Sequence, residues 1–117
     1  MDRQPQGHGD LIQPDKVDEL MLFIEPSIRD VLDQLEPGEF TTSQFIELYC
    51  STPTGAVVYE EALAMWGERN LRMSRMVIHG QVIPGVLRRQ PDVEWAGYAH
   101  ADPDPYGVSA WWRLGTG

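Results

Sequence analysis

Cysteine and lysine are almost missing from this sequence: each occurs once, as Cys50 and Lys16, against eight arginines. A single cysteine excludes an internal disulfide and suits a reducing interior, with Cys50 read as a small, part-buried apolar residue. No apolar run exceeds about five residues, far short of the roughly 20 that span a bilayer, so no membrane partner is expected. No basic stretch followed by an apolar one appears near Met1, so no secretory signal is expected and the location read from the sequence is cytoplasmic. Also missing are a Gly-rich phosphate loop, a Ser/His/acid order and Cys/His ligand spacing. These absences argue against an enzyme, and no cofactor or metal is expected.

What is present is enough for one domain. The chain has 117 residues, 42% of them hydrophobic, with four tryptophans, which excludes a disordered acidic segment. The net charge of -9 is unevenly placed. Residues 1–68 hold fourteen acids against three bases, while residues 69–117 hold four acids against six arginines. The whole-chain charge opposes nucleic acid, yet a local excess of arginine can form a phosphate-facing surface. The acidity, with eight arginines to one lysine, also fits a high-GC or salt-adapted source, since carboxylates keep a protein soluble where salt screens charge.

Residues 1–14 have little to bury and read as a disordered tail, leaving 15–117 as a single domain. From Asp15 onward, Val17, Leu20, Met21, Ile24, Ile28, Val31, Leu32 and Leu35 recur at helical spacing, with Pro26 among them. Two helical pieces, or one kinked helix, satisfy this pattern. Pro37-Gly38 then stops it. Thr41 and Gln44 have capping-box spacing, and Phe40 and Phe45 that of a hydrophobic staple, so a helix is expected from Thr42 to about Cys50. Ser51 to Gly55 should break it, with a third helical stretch from about Val57 to Gly67.

A fourth helix is expected from Arg72. Its apolar face would be Met73, Met76, Val77, Gly80, Ile83 and Leu87, with Arg72, Arg75 and His79 opposite and an irregularity near residues 80–84. After Pro91 the period becomes two. Val93, Trp95, Gly97 and Ala99 would share one side of a strand and Glu94, Ala96 and Tyr98 the other. A second strand, Val108–Leu114, completes a hairpin around a tip at 100–107, with the Trp95/Trp112 side packed on helices. His100, Asp102 and Asp104 alternate in that tip; a soluble turn explains them better than a divalent-ion site.

The order of helix, short extended Glu39–Thr41, helix, helix and terminal hairpin resembles the winged helix-turn-helix superfamily over about residues 26–115. The likeness rests on Pro37-Gly38-Glu39-Phe40-Thr41-Thr42-Ser43-Gln44-Phe45-Ile46 and on the Val93–Arg113 hairpin. Val57–Gly67 departs from it, because the motif ordinarily has a short turn there. The resemblance implies an α+β fold of three to four helices followed by a two-stranded antiparallel wing. It further implies a small transcriptional regulator that binds double-stranded DNA, many such proteins acting as homodimers. Carried onto this sequence, the DNA-binding residues would be Arg72, Ser74, Arg75 and His79, with Arg88 and Arg89 on phosphates. Arg88 and Arg89 equally suit the negative end of the helix dipole.

Asp102 and Asp104 at the wing tip would repel phosphates. That favours an alternative in which the same fold docks or dimerises with protein through exposed Tyr98, Tyr106 and Trp111. Trp111 and its neighbour Trp112 must point to opposite faces, so one is exposed or covered by another element, for which Lys16–Ile24 is a candidate, though that segment equally suits a dimer helix.

Overall fold

Six apolar side chains of the first helix, Leu20, Met21, Ile24, Ile28, Val31 and Leu32, seed the core. The computed structural model describes residues 14–67 and 69–115, with side chains described from Lys16 onward. The expected tail lies outside the described residues up to Gln13, and its last residue, Pro14, opens helix α1 (Pro14–Asp33). This helix runs unbroken through Pro26, which settles the choice between two pieces and one. Proline 26 cannot supply an N–H to the carbonyl of Leu22. Both residues are exposed, so the missing bond falls on the water-facing side of the helix.

Strand β1 (Gly38–Thr41) leads into α2 (Thr42–Ser51). The Thr41 hydroxyl accepts from the Gln44 N–H at 3.0 Å, and the Gln44 side chain accepts from the Thr41 N–H at 3.0 Å. Phe40 and Phe45 close the staple with ring centroids 5.6 Å apart. The break expected over residues 51–55 narrows to Thr52, because Pro53 is at ease in a first helical turn and α3 (Pro53–Trp66) starts there. Thr52 ends one helix and caps the next: its hydroxyl donates to the Tyr49 carbonyl at 2.8 Å and accepts from the Gly55 N–H at 3.0 Å.

The next rod is α4 (Leu71–Val77), a π-helical turn (Ile78–Val82) and α5 (Ile83–Arg89). An irregularity was expected close to this position, since Pro84 has no N–H for the Gly80 carbonyl. Its effect on facing is larger than the sequence suggests. Ser74, Ile78, Val82, Val86 and Gln90 are buried in steps of four. An α-helix drifts about 40° per such step, and the extra residue of a π turn absorbs about 100° of the accumulated drift. One straight period across the rod therefore misplaces its first half. Met73, Met76 and Gly80, expected inside, are exposed, while Ile83 and Leu87 are buried as expected.

Strands β2 (Val93–Tyr98) and β3 (Ala110–Leu114) pair antiparallel, and β1 joins as a third strand in the order β1-β3-β2. The expected two-stranded wing thus becomes a three-stranded antiparallel sheet, and the fold is α+β. Trp112 stands opposite Phe40 on one side and Trp95 on the other, and is fully buried. Its indole N–H donates to the Thr42 hydroxyl at 2.8 Å, so burial leaves no orphaned donor. On the outer face, Arg113 bridges Glu39 and Glu94 in the same cross-strand row. Trp111 points outward and is exposed, and Lys16, at the start of the segment expected as its cover, instead sits over the Trp66 ring at 4.9 Å and donates to the Trp66 carbonyl. Among the described residues no helix is long and apolar enough to cross a membrane.

Candidate functional site

A one-residue bulge decides which aromatic rings meet. Trp95 pairs with Trp112 and Tyr98 with Ala110, so β2 spends three residues where β3 spends two. Gly97 takes a φ of 113° there, a conformation that glycine adopts without a Cβ penalty. Strict alternation would send Tyr98 to the face opposite Trp95. The bulge returns it, and the two rings meet edge to face at 5.4 Å. Both remain open to solvent, Trp95 at 42% and Tyr98 at 59%.

These rings form one wall of a groove of about 460 Å³ between the sheet and the rod. Met76, Gly80, Pro84 and Arg88, again in steps of four, form the opposite wall, with Gln81 beside them. Arg72, exposed in the first turn of α4, stands four residues before Met76 and is not part of the groove lining. Tyr106, from the loop joining β2 to β3, closes one end. Arginine flanks the aromatic floor on two sides: the Arg88 guanidinium lies 5.9 Å from the Trp112 ring centre and that of Arg75 lies 5.6 Å from Tyr106. Burial acts to lower the Arg75 guanidinium, but its interactions with Tyr106 and Tyr59 leave it above its ordinary value.

The residues expected to meet DNA divide into three groups. Arg72 and Arg88 are exposed, and Arg75 is half-buried. Arg89 is exposed but spans 3.2 Å to Asp18 of α1, which ties it to the acidic half of the chain. Ser74 and His79 are buried, at 1% and 7% exposure, and are corrected from base contacts to interior residues. The physical reason is the π turn, which rotates His79 out of the arginine row and under the loop.

There His79 joins a closed network. Its Nε2 lies 2.7 Å from the Tyr59 hydroxyl and its Nδ1 2.9 Å from Asp104, while the second Asp104 oxygen accepts from the Tyr106 N–H at 2.8 Å. The Tyr106 ring stands edge-on to the imidazole at 5.1 Å. Burial pushes the Tyr59 phenol up to about 12, so it stays protonated and is no nucleophile at neutral pH. Asp102 accepts a hydrogen bond from the Thr41 hydroxyl. Both acids of the expected wing tip thus anchor the loop, Asp104 to the rod and Asp102 to Thr41 at the end of β1, and among the described residues no group of three acids, histidines or cysteines is placed to hold a metal.

Cys50 is half-buried, and burial pushes its thiol up to about 11, so it is a thiol and not a thiolate at neutral pH. The Trp95–Tyr98 groove was missed because alternation was carried through Gly97; a lone glycine inside a strand was the available signal. No family model, curated protein or solved structure matches this chain.

Proposed function

We propose that this protein is a docking module, a winged-helix-like frame that binds another protein in the groove between its helical rod and its sheet. One observation carries this reading. The middle of the rod's groove-facing row is Met76, Gly80 and Pro84, set against Trp95 and Tyr98. Partly exposed aromatic and methionine side chains in a concave site suit a protein segment, to which they lend large contact area at low entropic cost. A helix that reads base edges needs hydrogen-bonding side chains there.

Double-stranded DNA is the second reading. It is favoured by exposed Arg72 and Arg88 on the rod and by Gln81 in the groove lining, and it would make the protein a small transcriptional regulator. The bound acids Asp102 and Asp104 no longer oppose it as strongly as a free acidic tip would. Against it stand the burial of Ser74 and His79 and the ion pairs of Arg89 and Arg113.

Site-specific photo-crosslinking in the source cells separates the two. A photoreactive residue at Tyr98 is expected to give a discrete protein adduct, absent when the same group replaces exposed Leu22 and lost in Trp95→Ala. Crosslinks to nucleic acid alone would overturn the docking reading in favour of DNA.

A further inference from the structure

We infer that the groove takes an extended, acidic peptide segment with a central aromatic or bulky apolar anchor; this rests on the docking reading above. Charge gives the sign of the partner. The chain carries -9 in total, yet among the described residues the charged side chain lining the groove is Arg88, Arg75 lies over the Tyr106 ring at the groove's end, and exposed Arg72 stands about one turn before Arg75 on the same rod. No carboxylate lines the groove among the described residues, and the Asp104 side chain behind Tyr106 is buried and bound to His79, so the charge that the groove opens to is that of arginine. Lysine-rich or arginine-rich segments are repelled at both ends, and carboxylates are attracted.

Spacing gives the length. Sixteen residues separate Arg72 from Arg88, which is about 24 Å along a helical rod. An extended chain covers that distance in about seven residues at roughly 3.3 Å each. Acids near the two ends of such a segment reach both guanidinium groups while its centre lies over the floor. The floor gives the anchor. Trp95 and Tyr98 meet at right angles 5.4 Å apart and leave open faces and edges beside Pro84 and Met76. A ring or a leucine seated there gains both buried area and edge-to-face contact.

The test is a phage-displayed library of random peptides about twelve residues long, enough for the seven-residue span. It is screened against the full chain and against the R72E/R88E variant, whose changed residues are exposed and whose fold is verified by near-UV circular dichroism. The wild-type protein is expected to enrich peptides with Asp or Glu on both sides of Trp, Tyr, Phe or Leu, and the variant to shift toward Lys and Arg. A synthetic peptide of the enriched type should lose roughly fivefold or more in affinity with R88E and weaken as salt rises. Enrichment of uncharged apolar peptides by both proteins alike overturns the acidic assignment and leaves the docking reading standing. No enrichment by either, with salt-sensitive binding of random duplex, overturns both. A concentration-dependent dimer lost in Trp95→Ala overturns the acidic segment in favour of a second copy of the chain.

Discussion

His79 lies 2.7 Å from the Tyr59 hydroxyl and, through its other ring nitrogen, holds the loop between β2 and β3 to the helices by way of Asp104. A neutral imidazole satisfies both contacts, donating from Nδ1 to the carboxylate and accepting at Nε2 from the phenol. His79→Ala removes both partners and opens a cavity beneath Tyr106. The expected cost is about 2–4 kcal/mol, read as a lower urea midpoint, with new protease cleavage at 101–107 in the folded protein. An unchanged midpoint and an uncut loop would show that this network does not hold the loop.

Arg29 grips both oxygens of Asp92 at 2.8 and 2.9 Å and joins α1 to the chain entering β2. The guanidinium hydrogen bond holds the Asp92 carboxyl below its ordinary value, outweighing the effect of burial. Because the folded carboxyl is the more acidic one, the pair stabilises fully above the ordinary carboxylate range, near about 3.9, and its contribution fades as pH falls through the lowered value. Asp92→Asn should therefore cost about 1–2 kcal/mol at neutral pH, with the gap from wild type closing in acid. A pH-independent gap in denaturant titrations would contradict this.

Gly55 sits where a Cβ would come within 2.0 Å of the Tyr49 carbonyl oxygen. The clash is with backbone at a one-residue junction between two helices, so no side chain can yield. Gly55→Ala should lose about 3 kcal/mol or more of stability or fail to accumulate folded. Gly67→Ala meets only ordinary contacts and pays for a φ of 80°, about 1 kcal/mol. Thermal melts of the two variants should rank in that order.

A Cβ added at Gly97 would have no atom within 4 Å, so Gly97→Ala meets no steric block and pays only for its positive φ. The expected loss is about 1–2 kcal/mol, together with a change in the Trp95–Tyr98 geometry. Near-UV circular dichroism reports that geometry. Peptide affinity should fall in parallel, and a variant that keeps both would remove the bulge from any role in shaping the groove.

Signals between residues close in the chain survive in the fold. Thr41 and Gln44 form the predicted capping box, Phe40 meets Phe45, and the extended Glu39–Thr41 is a strand. Each depends on residues at most five apart, whose geometry is dictated by the backbone between them. The misplacements share the opposite character. Met73 and Met76 were turned inward and His79 outward because one period was carried across a π turn, and Tyr98 was placed with Trp111 because alternation was carried across a bulge. An insertion of one residue leaves composition and local propensity untouched while rotating every side chain on one side of it.

By itself the sequence determined the α+β order of elements, the caps that start α2, the Trp112-centred hairpin and the concentration of acids in its first half. Tertiary structure alone decided which arginines are spent and which stay open. Arg89 and Arg113 find carboxylates that are 71 and 74 residues distant in the chain, in Asp18 and Glu39. It also decided that Trp95, Tyr98, Met76 and Pro84 face one another across a groove. The reason is physical: charge pairing and the meeting of two walls depend on distances in space, and helical and strand periods carry that information only as far as the first break in them.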